Sequence, residues 1–158
     1  MKISASYWIF EGGLEGTLPI TSAMEQASQL GFDAIELGIA SQGVLTHQVT
    51  KVECESILDE ANKKGLEISG VASGESWTNS PTATDVKVRE TILDFTQKAL
   101  QVTQWLGTDA YLFVPGAVDV FFKPESEVIP YDVCYERAKE GISSLVPTAE
   151  DLGVSVAI

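Results

Sequence analysis

Apolar residues along the chain follow two patterns that alternate. Short runs rich in Ile, Val, Leu and aromatic residues are typical of β-strands. Longer segments with apolar residues at every third or fourth position are typical of amphipathic helices, and the segment 88–106 shows this spacing most clearly. The predicted strands cover residues 2–10, 33–39, 66–73, 109–114 and 154–158, with one predicted helix between each pair of successive strands.

The joint between each helix and the next strand is repeated along the sequence. Leu30-Gly31-Phe32-Asp33-Ala34 matches Leu106-Gly107-Thr108-Asp109-Ala110, and the segments around Gly65 and Gly153 have the same outline. Each glycine falls where a helix ends, in the left-handed backbone position that glycine adopts most easily. The chain is therefore predicted to be an α/β protein made of four strand–helix units and a fifth strand, with no linker and no second domain.

Two architectures have this order of elements. A doubly wound sheet of the flavodoxin type has about this length and a strand order of 2-1-3-4-5. A (β/α)8 TIM barrel needs ~250 residues and keeps its strands in sequential order. Because no helix follows the fifth strand, we expect residues 1–158 to be the N-terminal half of a single TIM-barrel domain, truncated at strand five. A complete flavodoxin-like module that binds a small ligand without catalysis is the alternative.

Ligands bind at the carboxyl ends of parallel strands in both architectures. Glu36 lies inside an almost continuously apolar strand, which is typical of a strand buried on both faces. Its carboxylate either faces a polar pocket or is bonded to neighbouring backbone or to a buried basic residue. The candidate substrate-binding residues selected by the strand ends are Tyr7, Trp8, Glu36, Ser73, Gly74, Pro115 and Gly116.

Other residues with chemical potential form no recognisable site. Gly12-Gly13-Leu14-Glu15-Gly16 is not a phosphate-binding motif, since no lysine follows it, and we read it as a flexible loop. His47 is interpreted as a surface residue, and Cys54 and Cys134 as small core residues on apolar helix stripes. The long loop that contains Glu75 and Trp77 is either a pocket wall or an ordinary surface loop.

Charge and composition narrow the range of partners. Asp and Glu number 23 against 10 Lys and Arg, so the net charge is −13. An acidic surface repels phosphate backbones and anionic lipid, so we expect no nucleic-acid partner and no membrane partner. With two cysteines and no evident signal peptide, a reduced, cytoplasmic location is the default expectation. The residues by themselves indicate a protein that binds a small polar ligand.

Three segments resemble one known family. Gly31-Phe32-Asp33-Ala34-Ile35-Glu36-Leu37 is similar to the second-strand signature of the xylose isomerase-like TIM-barrel superfamily. The segment 145–158, with Pro147, resembles its fourth helix and fifth strand. Leu112-Phe113-Val114-Pro115-Gly116-Ala117-Val118 is similar to the end of strand four in the sugar phosphate isomerase/epimerase branch.

The resemblance implies a metal-assisted proton transfer on a ketose or ketose phosphate through an enediolate, with Mn²⁺, Co²⁺ or Mg²⁺ polarising the carbonyl. In that family the metal ligands and the two catalytic glutamates come from strands five to eight. We therefore expect no catalytic residue and no metal ligand in this chain, and no activity from it alone. A half barrel also exposes the edges of strands one and five, so self-association is expected.

Overall fold

Five strands pair in parallel, in the order in which they occur in the chain, in a computed structural model that describes residues 1–158. A short 3₁₀ helix follows the first strand (Tyr7–Ile9) and another follows the third (Glu75–Trp77). The strands and helices are β1 (Ser4–Ser6), α1 (Ile20–Gln29), β2 (Ala34–Gly38), α2 (Lys51–Lys63), β3 (Glu67–Ala72), α3 (Val86–Trp105), β4 (Ala110–Leu112), α4 (Tyr131–Leu152) and β5 (Ser155–Ala157).

The strand order is β1-β2-β3-β4-β5, which confirms the half TIM barrel. The flavodoxin-type alternative is wrong, because its sheet would place β1 between β2 and β3. Right-handed crossovers between sequential parallel strands put all four helices on one face of the sheet. The outer edges of β1 and β5 have no neighbouring strand, and self-association through them stays a prediction.

The two faces of the sheet differ in burial. Residues that point toward the helices are buried, and in β2 these are Ile35 and Leu37. Glu36 and Gly38 point to the opposite face and are only half-buried, so β2 is fully buried on one face rather than on both. The core accordingly lies between the sheet and the helices. Among its completely enclosed side chains are Met24, Ile35, Leu66, Leu100, Leu106 and Leu145.

The repeated joints adopt the predicted backbone conformation. The φ angles of Gly31, Gly65, Gly107 and Gly153 are +83°, +71°, +75° and +65°. Each of these glycines follows the last turn of a helix, where a left-handed residue ends the helix and turns the chain into the next strand. The joints therefore lie at the amino ends of β2 to β5, which is the end of the sheet opposite the strand carboxyl termini.

The first predicted strand is too long. The apolar pattern predicts a strand over residues 2–10, but only Ser4–Ser6 pair with β2, and Tyr7–Ile9 form a 3₁₀ helix. The Ser6 side chain accepts a hydrogen bond from the backbone N–H of Trp8, which caps this helix. Aromatic residues are enriched in strands, which is why the sequence pattern predicted a longer strand here. In the structure Tyr7 and Trp8 leave the sheet and form the floor of a cleft.

Local signals begin the longer helices at defined residues. Thr50 and Glu53 form a capping box at the start of α2, in which the Thr50 side chain accepts from the Glu53 backbone N–H and the Glu53 carboxylate accepts from the Thr50 backbone N–H. Asp85 caps α3 through the Lys87 backbone N–H at 2.8 Å. The helix α4 continues through Pro147. None of the helices combines the length and hydropathy needed to cross a membrane.

Candidate functional site

A cleft of about 300 Å³ opens at the carboxyl ends of β1, β2 and β3. Three loops form it: the segment after β1, the segment after β2, and the segment after β3. Half of its sixteen lining residues are hydrophobic. The lining residues are 7–8, 13–16, 38–40, 42, 44–45, 74–75 and 77–78. The cleft therefore occupies the position at which parallel α/β sheets bind their ligands.

Two aromatic rings form the floor of the cleft. Tyr7 is buried, and its hydroxyl donates a 2.6 Å hydrogen bond to the carbonyl of Leu18. Burial raises the pKa of the Tyr7 hydroxyl. The Trp8 ring lies on the backbone of β2 at Gly38, where an added Cβ would come within 2.9 Å of the Trp8 Nε1. Gly38 thus permits the close approach of the indole to the strand.

The first two loops are joined through their backbones. The Val44 N–H donates to the Gly16 carbonyl at 3.0 Å. Gly43 has a φ of +111°, and a Cβ on it would lie 2.6 Å from that same carbonyl oxygen. Because the residue at position 43 is a glycine and has no Cβ, the two loops can approach each other this closely. The loop around Gly12 and Gly16, which we read as flexible, is hydrogen-bonded to its neighbour at this point.

Glu75 ties the third loop to the second. Its Oε1 accepts one hydrogen bond from the Ser41 N–H and another from the Ser41 hydroxyl, both at 2.7 Å. Of the two readings of this loop, the structure therefore supports a pocket wall. Glu15 and Glu75 are the charged residues that line the cleft, and no Lys, Arg or His lines it. The cleft consequently has an acidic and aromatic character.

A second, smaller cleft of about 240 Å³ lies on the other side of Glu75. His47 lines it, although we interpreted this residue as a surface histidine. Its ring is half-buried and packs edge-on against Phe95, with the ring centroids 5.1 Å apart. The Nδ1 atom of His47 is buried without a hydrogen-bond partner in the chain. Both cysteines are buried, as expected for core residues, and burial raises the pKa of the Cys54 thiol to about 11.

Of the seven candidate residues, three line the main cleft and four do not. Tyr7, Trp8 and Gly74 line the main cleft together. Glu36 lies on the inner face of the sheet, level with Ser6 on β1 and Gly70 on β3, and it belongs to none of the salt bridges.

Three other candidate residues lie outside the cleft lining, as Glu36 does. Ser73 is buried, and its hydroxyl accepts a hydrogen bond from the Glu75 N–H. Gly116 packs against the buried Thr82, whose hydroxyl donates to the carbonyl of Ala117. Pro115, which precedes Gly116, is half-buried outside the cleft lining. The fourth strand end is therefore separated from the main cleft by the long loop after β3.

The lining residues that sequence reasoning missed come mostly from the segment after β2. Gln42, Val44 and Leu45 have side chains of no distinctive chemistry, so the sequence contains no signal for them as site residues. Gly38 and Gly43 could have been noticed, because glycines at a strand end and in a loop permit close approaches of backbone.

The residues of this chain form no site for the Mn²⁺, Co²⁺ or Mg²⁺ ion that the family resemblance implies for the complete protein. The chain has no group of three or more His, Cys, Asp or Glu side chains placed to hold a metal ion. Carboxylate and imidazole groups are the ligands that such cations require. We therefore derive no step through a metal from the residues of this chain.

Comparison with protein families gives one match. The model of the xylose isomerase-like TIM barrel family matches residues 24–158. No curated protein sequence is significantly similar to the chain.

Several solved structures share the fold. A D-psicose 3-epimerase crystallised in the presence of D-fructose is 22% identical to the chain, with a TM-score of 0.77, and the match covers 100% of this chain and 52% of that one. A D-psicose 3-epimerase from Clostridium cellulolyticum H10 with D-tagatose is 17% identical, with a TM-score of 0.75, and the match covers 99% and 51%. The 3-keto-D-glucoside 4-epimerase YcjR from E. coli is 18% identical, with a TM-score of 0.71, and the match covers 99% and 54%. The chain thus spans about half the length of the proteins it resembles.

Proposed function

Because the chain belongs to the xylose isomerase-like TIM barrel family, we propose that it forms the N-terminal half of the barrel of a sugar isomerase or epimerase. The observation that supports this function best is the position of the cleft, at the carboxyl ends of the strands of a half barrel. The epimerases that share the fold are named for their action on sugars. In our proposal the cleft holds the part of the sugar that does not react.

The cleft offers the two kinds of contact that sugars use. The Trp8 ring presents apolar surface for the C–H face of a sugar, and the buried Tyr7 ring supports it in the floor of the cleft. The carboxylate of Glu75 accepts hydrogen bonds, and one of its oxygens is already held by Ser41. Because Ser41 fixes the orientation of this carboxylate, Glu75 can accept from a sugar hydroxyl without first being ordered.

The charge of the cleft favours a neutral sugar over a sugar phosphate. Phosphate groups in proteins are held by Arg, Lys or backbone N–H groups at a helix terminus. No basic side chain lines the cleft, and both of its charged residues, Glu15 and Glu75, would repel a phosphate. Of the two substrate classes that the family resemblance implies, we therefore propose the unphosphorylated ketose for this cleft.

The proposed reaction proceeds by proton transfer at carbon. A base removes the proton from the carbon next to the ketose carbonyl, and the electron pair of that C–H bond forms an enediolate. Returning a proton to the opposite face of the same carbon inverts its configuration. Returning it to the adjacent carbon, while the hydroxyl proton passes to the former carbonyl oxygen, moves the carbonyl. The Tyr7 hydroxyl already donates to Leu18, so we assign this residue to binding and not to proton transfer.

Binding of D-fructose and of D-fructose 6-phosphate to the chain tests the proposal. Nuclear magnetic resonance of the tryptophan indole N–H groups reports the cleft through Trp8 and Trp77, whereas Trp105 lies at the end of α3 and outside the cleft. We expect fructose to shift the Trp8 and Trp77 signals and to bind more tightly than the phosphate.

Two variants complete this experiment. The Trp8→Ala variant should bind fructose more weakly, and the control Trp105→Phe should bind it as the native chain does. An unchanged spectrum at high fructose concentration, or tighter binding of the phosphate, would show that the cleft does not hold a neutral sugar.

A second measurement concerns catalysis. We expect the 158-residue chain to show no ketose epimerisation with added Mn²⁺ or Co²⁺, because we assign the proton-transferring groups and the metal ligands to the other half of a complete barrel. Turnover above the rate of the metal ions alone would disprove this assignment.

A further inference from the structure

Three aromatic side chains form an exposed cluster beside the cleft. Trp77 contacts Phe122 with ring centroids 5.6 Å apart, and Phe121 contacts Phe122 with centroids 5.1 Å apart. The exposed fractions are 38% for Trp77, 51% for Phe122 and 89% for Phe121. We refer to these three residues as the aromatic cluster. Exposed aromatic rings in contact with one another are costly to leave in water, and such clusters are typical of surfaces that contact a ligand or a partner protein.

Polar contacts hold the cluster in place. The loop between β4 and α4, which carries Phe121 and Phe122, is bonded to the loop after β3 at three points, one of which is the bond from the Thr82 hydroxyl to the Ala117 carbonyl. The Lys123 ammonium donates to the Thr78 hydroxyl at 2.8 Å, and the Glu127 carboxylate accepts from the Thr84 N–H at 3.0 Å. Because these bonds and the ring contacts are already formed, the aromatic surface needs little ordering before it binds a ligand.

The cluster and the cleft share one residue. Trp77 lines the cleft and also contacts Phe122. A ligand that fills the cleft and extends past Trp77 therefore meets Phe122 next. We propose that the aromatic cluster is a subsite for a second sugar ring, so that the ligand is a disaccharide or glycoside with the non-reacting part of its ketose unit in the cleft. This inference rests on the proposed function of the cleft.

The chemistry of the cluster favours a sugar ring as its occupant. All three members are aromatic, and flat rings match the C–H face of a pyranose. Thr78 and Lys123 flank the rings with polar groups that can hydrogen-bond to sugar hydroxyls. Because Trp77 belongs to both the cleft and the aromatic cluster, the second sugar ring would lie directly beside the first.

Ketose disaccharides provide the test. Turanose, lactulose and palatinose each carry an aldose ring on fructose, through the 3-, 4- and 6-positions. Their dissociation constants with the chain are to be compared with that of fructose by the same indole signals. We expect at least one of them to bind about fivefold more tightly than fructose, which is the gain that one aromatic contact typically provides.

Two variants decide where that gain arises. In Phe122→Ala the ratio of the fructose and disaccharide dissociation constants should fall to about one, since the stacking surface is lost. In the control Tyr135→Ala, which removes an exposed aromatic ring on α4 instead, the native ratio should persist. Circular dichroism confirms that both variants are folded.

Three outcomes would overturn the inference. If fructose binds and no disaccharide binds more tightly, the cluster is not a sugar subsite, although the cleft is a sugar site. If the disaccharide gain survives in Phe122→Ala, the second ring binds elsewhere. If neither fructose nor any disaccharide binds, the proposed function of the cleft fails together with the subsite.

Discussion

The two faces of the sheet carry different kinds of residue. On the face covered by the helices, Ala5, Ile35 and Ile68 are buried in the core. On the opposite face, Ser4 and Ser69 are exposed and bond to each other through their hydroxyls at 2.6 Å. The face covered by the helices is therefore apolar, whereas the opposite face combines polar residues with the small buried residues Ala34, Gly70 and Ala72.

This difference separates stability from binding. Helix-facing residues contribute the apolar burial that holds the fold together, since burial of a side chain such as Ile or Leu stabilises by roughly 1.5–3 kcal/mol. Residues on the open face and at the carboxyl ends of the strands contribute little to that core and are available to a ligand. Substitutions on the two sides of one strand should thus have different consequences.

Adjacent residues of β2 provide the strongest test of the comparison. Ile35 is 0% exposed on the helix side, and Glu36 follows it on the open side. Replacing Ile35 with Ala should lower the free energy of unfolding by about 3 kcal/mol, because it leaves a cavity. Replacing Glu36 with Ala should change it by less than about 0.5 kcal/mol. Urea unfolding measures both, and equal losses would contradict a one-sided core.

A pair of glycines extends the comparison to the two ends of the sheet. Gly43 at the cleft and Gly65 at a helix joint both have positive φ, of +111° and +71°. Only Gly43 is crowded, since a Cβ there would lie 2.6 Å from the Gly16 carbonyl, whereas nothing lies within 4 Å at Gly65. Gly65→Ala should cost about 1 kcal/mol for backbone strain alone, and Gly43→Ala about 2 kcal/mol or more.

Thermal or urea unfolding checks these values, and the fructose titration checks the cleft. Gly43→Ala should also weaken sugar binding, because the loops after β1 and β2 must separate to admit the methyl group. Gly65→Ala should leave binding unchanged, since its joint lies at the other end of the sheet. A larger loss of stability or of sugar binding in Gly65→Ala than in Gly43→Ala would show that the loops at the cleft accommodate the added methyl group without loss of stability.

A pH-dependent effect distinguishes Cys54 from its neighbour in α2. Burial raises the pKa of the Cys54 thiol from 9.0 to about 11, whereas hydrogen bonds from Thr50 lower the pKa of the exposed Glu53 carboxyl. Above pH 9 the thiol ionises first in the unfolded chain, so stability falls as pH rises toward 11. Cys54→Ala should lose less stability than the native chain between pH 9 and pH 11. Identical losses would contradict the raised pKa.

The order of the elements could be predicted from the sequence because their signals are local. Gly31 and Gly107 recur in matching segments, and each has the left-handed backbone that a helix end requires. The family resemblance then supplied the sequential strand order, which periodicity by itself left open. The end of β1 was not predictable in the same way, because Tyr7 and Trp8 suit a strand and a 3₁₀ helix equally well.

The cleft was less predictable, because it depends on contacts between loops. Tyr7, Trp8 and Gly74 follow from the rule that ligands bind at strand ends. The bond between Glu75 and Ser41 links residues 34 positions apart, and no local pattern specifies such a pair. Ser73 and Gly116 follow strand ends as well, yet they pack inward against Glu75 and Thr82. Proximity to a strand end is therefore not sufficient to place a residue in the cleft.

The glycine joints make the chain modular. The helices range from 10 to 22 residues, but every joint is short and contains one left-handed glycine, so each unit delivers its next strand in the same way whatever the length of its helix. A duplicated strand–helix unit inserted at the Gly153 joint would extend the sheet by one strand after β4 and leave the loops after β1, β2 and β3 in contact with one another. Gene duplication or protein engineering could thus lengthen this half barrel one unit at a time without rebuilding its ligand-binding end.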